Sequence, residues 1–298
     1  MSWLLVPILV TTDPFSTWKE AFGKTYDNDT TARAVFQDNY EALQAYSPMM
    51  RSFDSTVRDG RLLYRLNRFA DVTDGEFVSR YVIEQPFLPQ YIGTGELVGV
   101  QMADEVDWNR LTTAYDQDTC KSSWLHALVN TLEAHEHMRF KRHRAISTEY
   151  FERCLSFDCN KGELKEAVDQ AYTHGYCYAD EYARDGCKCA RRVRIRSYDF
   201  VTSEALAHVL NAGPVIAVFT MGPEFQFYQA GVLHDHCSEL DDRNHAVVLT
   251  GYGIDDDGVP FWRGVNTFGP EWGEGGYFRI ERNATKCGID QEVLMIGM

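Results

Sequence analysis

Gln117-Asp118-Thr119-Cys120-Lys121-Ser122-Ser123-Trp124 runs directly into Leu125, Leu128, Val129 and Leu132. These apolar residues recur at i, i+3, i+4 and i+7, which marks one face of an amphipathic helix. The polar residues ahead of them therefore form a tight loop feeding the first turn of a buried helix. Backbone N–H groups and the helix dipole favour negative charge at such a turn. A nucleophile placed there has its anion stabilised, so Ser123 is the first candidate for chemistry.

The chain has 298 residues, enough for one large domain or two unequal ones. Its 44% apolar and 13% aromatic content is that of a packed globular protein. A formal net charge of −15 argues against nucleic acid or an anionic membrane as partner. No apolar run approaches the roughly 18 residues that span a bilayer. Leu4 to Val10 is apolar but short, without a basic flank and interrupted by Pro7. It reads equally as a poor signal peptide or as an arm packed on the domain. Eight cysteines suit a disulfide framework, and Asn28-Asp29-Thr30 and Asn283-Ala284-Thr285 are glycosylation sequons. Both point to the secretory pathway, with a lysosomal, vacuolar or extracellular destination.

From Phe15 to about Tyr46 the apolar positions Phe15, Trp18, Phe22, Phe36, Tyr40 and Leu43 recur with helical spacing. Pro86 to Gly99, rich in Pro and Gly, reads as an extended connection and domain boundary. Beyond about Ser197 short β-rich runs take over, among them Val215–Thr220, Ala246–Tyr252 and Gly276–Ile280.

Several stretches together carry a resemblance. Gln117 to Trp124 resembles the Gln-Gly-x-Cys-Gly-Ser-Cys-Trp segment of papain-like cysteine peptidases of the cathepsin L type. Asn244-His245-Ala246-Val247 resembles that family's catalytic-histidine strand. Asn266-Thr267-Phe268-Gly269, followed by Glu271-Trp272-Gly273, resembles its Asn-Ser-Trp-Gly…Trp-Gly segment. Val106-Asp107-Trp108 is similar to the opening of the mature domain. Leu66-Asn67-Arg68-Phe69-Ala70-Asp71 is similar to the propeptide's Asn-x-Phe-x-Asp motif, and Phe36, Asn39 and Leu43 match part of an earlier one.

The resemblance implies an α+β, two-lobed papain-like fold, with a helical left lobe, a β-barrel-like right lobe and a helical propeptide subdomain. Residues 1–13 would be the apolar N-terminal segment, 14–100 an inhibitory propeptide-like domain, and 101–298 the peptidase domain. Ser123 would hold the nucleophile position, with His245 and Asn266 as catalytic partners and Gln117 in the oxyanion hole. Gly162, Lys121, Trp272 and Glu292 would line the substrate cleft, and Asn67, Phe69 and Asp71 would form the propeptide motif. By the same resemblance Cys120 pairs with Cys159 and Cys237 with Cys287. Cys154 pairs with Cys187 or Cys189, and Cys177 with whichever of those two remains. No cofactor or metal is expected. The expected partners are the chain's own propeptide and a peptide or protein ligand in the cleft. His135 and His137 on a helix, and His234 and His236 in a loop, lack a metal-ligand pattern and read as surface residues.

The departures bear on activity. A cysteine nucleophile works because its pKa of about 8.5 can be pulled down beside an imidazolium. Serine cannot ionise that way and needs a general base. The third member here is neutral Asn266, and exchanging Asp for Asn in a serine triad costs ~10⁴ in turnover. Asp118, Lys121 and Lys161 stand where the family has glycine, and Phe268 where it has tryptophan. Three readings follow: a pseudo-peptidase that binds peptides or partners, a peptidase using Ser123 or trapped as a zymogen by a Cys→Ser change, or a structural protein.

Overall fold

The computed structural model describes residues 13–51, 64–82, 103–155, 157, 162–183, 185, 187–234, 245–282 and 287–298. Side chains 44–51, 223 and 224 are excepted. The N-terminal part consists of α1 (Pro14–Ala21), α2 (Thr30–Arg51) and α3 (Asp74–Tyr81). Asp13 caps α1 by accepting from the Ser16 N–H. Thr73 and Glu76 form a reciprocal capping box at the start of α3, which satisfies two donors that the first turn otherwise leaves open.

A short strand β1 (Val106–Asp107) precedes the left lobe, built on α4 (Ser123–Phe140), α5 (Thr148–Cys154) and α6 (Leu164–Thr173). Four two-residue strands follow: β2 (Tyr176–Cys177), β3 (Tyr182–Ala183), β4 (Lys188–Cys189) and β5 (Arg192–Val193). The right lobe then runs through β6 (Ser197–Val201), α7 (Ser203–Ala212), β7 (Val215–Phe219), α8 (Pro223–Gln226) and β8 (Val232–Leu233). It closes with β9 (His245–Ile254), β10 (Pro260–Val265), β11 (Tyr277–Glu281) and β12 (Glu292–Gly297).

The expected two-lobed α+β architecture is present, with one correction. The right lobe was expected to be barrel-like. Its sheet instead follows the open order β6-β12-β7-β9-β10-β11-β8, with β1 added on β9, and among the described residues its outer strands β6 and β8 do not pair with each other. The strand period of two explains how this sheet serves both lobes. Along β9, Val247 and Leu249 enter the right-lobe core, while Ala246 and Val248 enter the core around α4. Helix α4 is therefore enclosed rather than half-exposed. Leu125, Leu128, Val129 and Leu132 are buried as their spacing predicts, but so are Asn130, Thr131, Glu133 and Glu136. The two carboxylates are satisfied there, Glu133 by the Tyr115 hydroxyl and the Ile146 N–H, Glu136 by the hydroxyls of Tyr176 and Tyr178.

Two disulfides resolve the open pairing, Cys154–Cys187 and Cys177–Cys189. Cys120 and Cys287 are also bonded. Their expected partners Cys159 and Cys237 lie outside the described residues, as do His236, Lys161, Asn244, Asn283 and the segment Pro86–Gly99. No helix among the described residues is long and apolar enough to cross a membrane.

Candidate active site

Ser123 is the first residue of α4, and His245 the first of β9. Both are buried. Strand β9 meets α4 side-on, so the N–H of Ala246 donates to Ser123 Oγ at 3.3 Å. The His245 ring turns the other way along its strand. Its Nε2 lies 2.7 Å from Asn266 Oδ1, and that oxygen also accepts from the Thr267 N–H. An atom accepting from a backbone N–H is the amide oxygen, so His245 Nε2 carries the hydrogen and Nδ1 is the bare acceptor. Nδ1 is buried and has no hydrogen-bond partner among the described residues. The serine hydroxyl and the imidazole are neighbours without a shared proton.

The walls around the imidazole are aromatic. Ring centroids of Phe268, Phe219 and Phe225 lie 5.0, 6.0 and 6.3 Å from that of His245. Burial pushes the His245 pKa down to about 4, against the opposing pull of its bond to Asn266. The ring is neutral at pH 7.

Gln117 is fixed by the short bridge between Asp116 and Phe268. Its N–H donates to Thr267 O at 2.8 Å and its Oε1 accepts from the Thr267 hydroxyl. Its Nε2 donates to Cys120 O at 2.6 Å and to Tyr81 O at 3.0 Å. The last contact matters most, because Tyr81 ends α3 of the N-terminal part. The side-chain amide of Gln117 is therefore engaged by a carbonyl of the N-terminal part.

That segment is anchored at several points. Asn67 Nδ2 donates to Gln226 O at 2.7 Å, Asn67 Oδ1 accepts from Phe69 N, and Gln226 Nε2 donates to Phe69 O at 3.1 Å. Phe69, Phe77 and Tyr81 meet Phe268 edge-on at 5.7, 5.4 and 5.8 Å. Asp71 accepts from Lys24 and from the Tyr26 hydroxyl. Arg68 forms a two-pronged ion pair with Asp116. Burial raises the Asp116 pKa, but the bonds from Arg68 and from the Asp118 N–H outweigh it and hold the carboxyl below its usual value.

The other expected cleft residues are spread around this centre. Gly162 stands over the indole of Trp124, where a Cβ would fall 2.0 Å from the ring. Trp272 is buried, donating to the carbonyls of Phe225 and Gln226. Glu292 is buried at the start of β12, opposite Val218. Lys121 is half-buried in the loop before α4. Asp118 occupies a left-handed backbone, φ 52, so glycine suits that position for a reason of backbone geometry. Its own N–H donating to Asp116 Oδ1 at 2.9 Å helps to hold it there.

Some functional neighbours had no clear sequence signal. Phe219 and Phe225, which wall the histidine, read as ordinary core. Tyr81 was readable only as the residue one turn beyond Phe77. His135 is less open than the surface position expected: it is half-buried, its Nε2 lies 2.9 Å from Pro214 O, and burial lowers its pKa. Among the described residues no cluster of His, Cys, Asp or Glu could hold a metal ion.

A sequence model described as "Papain family cysteine protease" matches residues 102–296. The chain is 29% identical over 303 residues to an aleurain-like thiol protease of Arabidopsis thaliana, covering 92% of this chain and 81% of that protein. It is 31% identical over 313 residues to vignain of Phaseolus vulgaris, covering 89% and 86%. Among solved structures, the proform of Amb a 11, a ragweed pollen allergen cysteine protease, superposes with a TM-score of 0.81 at 25% identity. That match covers 95% of this chain and 92% of the other.

Proposed function

The chain belongs to the papain family of cysteine proteases, and from that premise we propose that it is a pseudo-peptidase whose cleft binds rather than cleaves. One observation carries this reading. Ser123 Oγ takes its bond from the Ala246 N–H, while His245 Nδ1 stands neutral and unbonded. A serine needs that imidazole as general base, and a base works best with a pKa near the operating pH. With its pKa near 4, His245 is a poor one.

In this reading residues 14–100 are a propeptide-like domain that stays attached, and residues 101–298 are the peptidase-like domain. Ser123, His245, Asn266 and Gln117 keep the shape of a catalytic centre. Gly162, Lys121, Trp272 and Glu292 surround the cleft that receives a peptide or protein partner. The disulfides fit passage through the secretory pathway.

A second reading has its own support: the Tyr81 carbonyl on Gln117 is a lock suited to a zymogen. Hydrolysis of dipeptidyl fluorogenic substrates, before and after acid treatment and removal of the N-terminal part, separates the two. The pseudo-peptidase reading expects no turnover above that of Ser123→Ala in either form. Turnover after removal that Ser123→Ala abolishes would establish a working serine peptidase instead.

A further inference from the structure

The chain carries a formal net charge of −15, yet two of its stretches concentrate positive charge. They are Arg139-Phe140-Lys141-Arg142-His143-Arg144 and Arg191-Arg192-Val193-Arg194-Ile195-Arg196. Together they hold 8 of the 29 Lys and Arg, with no Asp or Glu in either.

The fold brings both to the same strand of the left lobe, the first from the end of α4 opposite Ser123. The first stretch leaves the C-terminus of α4, where Lys141 turns the chain with φ 55. The chain then runs beside β2: the Ala179 N–H donates to Ala145 O at 2.8 Å and the Ser147 N–H to Cys177 O at 2.9 Å. The second stretch pairs with the same β2, Tyr176 opposite Val193 and Cys177 opposite Arg192. The Cys177–Cys189 disulfide ties down its start. The Arg144 guanidinium lies 3.7 Å over the Tyr178 ring. Arg144 and Arg191 both act electrostatically on the Tyr178 phenol, and Arg139 acts on the Tyr176 phenol beside it.

Arg144 is neutralised by Asp180 and Glu181 at the rim. Arg139, Lys141, Arg142, Arg191, Arg192, Arg194 and Arg196 are exposed and form no ion pair among the described residues. Like charges held this close repel one another. A chain with 44 Asp and Glu has ample carboxylate to interleave, yet within these two stretches it places none.

We propose that this face binds a linear sulfated polysaccharide, laid between Arg139–Arg142 and Arg191–Arg196. A broad polyanion such as a vesicle would bring the acidic remainder of the molecule within a Debye length of about 8 Å. A thin chain meets only the strip. Single-stranded nucleic acid gains from stacking its bases on aromatic platforms. The strip offers one exposed ring, Phe140, already flanked by the guanidiniums of Arg139 and Arg142 at 5.2 and 5.7 Å. Sulfates need only the planar guanidinium fork.

The test uses the full chain and a fluorescein-labelled heparin oligosaccharide, titrated by anisotropy at low and physiological salt. Binding should weaken steeply with salt. Arg142→Glu with Arg194→Glu should lose about tenfold or more in affinity. Arg80→Glu with Arg110→Glu, which changes net charge equally on other surfaces, should lose less than about twofold. Should the reversed pair fail to fold by circular dichroism, Arg142→Gln with Arg194→Gln carries the same comparison, with about threefold expected. Equal losses from the two pairs would overturn the proposal. So would no heparin binding at low salt, or tighter binding of a single-stranded oligonucleotide or of phosphatidylserine vesicles than of heparin.

Discussion

At position 123 the choice between an oxygen and a sulfur nucleophile matters less than the state of the ring beside it. A thiolate–imidazolium pair forms only if the imidazole holds its proton more tightly than the thiol does. His245, walled by phenylalanines, has its pKa near 4, and an ordinary thiol sits near 8.5. A Ser123→Cys variant should therefore carry a protonated thiol while the N-terminal part covers the site. Its alkylation by iodoacetamide at pH 7 should be no faster than that of a free cysteine. Removing residues up to about 100 would let water reach the ring and raise the rate. Fast alkylation in the covered form would refute this account of His245. Even uncovered, the variant keeps Lys121, which the proposed reading places beside the cleft. Adding Lys121→Gly should raise kcat/KM on a dipeptidyl substrate by about tenfold more than the separate changes predict, because both residues serve one site.

The element that decides access is α3 with the loop before it. Asn67 bonds both the Gln226 carbonyl and the Phe69 N–H, so Asn67→Ala strands two buried backbone groups. That should cost about 1–3 kcal/mol of docking. Phe69→Ala, which empties the aromatic contact with Phe268, should cost about 3–5 kcal/mol. Amide exchange across residues 64–82 should accelerate in both variants, more in the second, while β7 and β9 stay protected. Uniform acceleration across the whole chain would mean the segment is not a separate docking unit. Much of this element was legible in the sequence. The resemblance of Asn67, Phe69 and Asp71 to a propeptide motif pointed to it, as the short β-rich runs Val215–Thr220 and Ala246–Tyr252 pointed to the sheet. What escaped was contact between distant segments. The Tyr81 carbonyl on Gln117 and the Arg68–Asp116 pair join residues 36 and 48 positions apart. A local pattern cannot encode such pairs, because each partner alone is an ordinary polar residue. The open sheet was missed for a related reason, since strand order depends on which edges meet and not on the strands' composition.

For the molecule as a whole, the buried imidazoles set how stability answers pH. His126, one turn into α4, has its pKa pushed down by burial to about 4, with Asp116 pulling weakly the other way. His245 is at about the same value. Above about pH 6.5 both rings are neutral folded or unfolded and contribute no pH dependence. Below it the unfolded chain takes up protons that the folded chain refuses until about pH 4. Stability is therefore present above 6.5 and falls across the window from 6.5 to 4, by on the order of 3 kcal/mol for the fully buried His245 and by less for the half-buried His126. Asp116 works in a lower window. Its folded pKa is depressed, so its contribution stands above the unfolded value and is lost only as pH falls through the folded one. Glu133 opposes the trend: burial raises its pKa against the bonds from Tyr115 and Ile146, so its cost belongs to neutral pH and fades in acid. The net expectation is a Tm that drops between pH 7 and pH 4.5. His126 is the ring to test, because His245 cannot be changed without altering the candidate site. His126→Phe keeps a ring against Tyr115, 5.7 Å away, and has no proton to refuse. It should match the parent at pH 7.5 and exceed it by roughly 5–10 °C at pH 4.5. Parallel Tm–pH curves for the two proteins would show that this histidine is not among the groups that make the fold sensitive to acid.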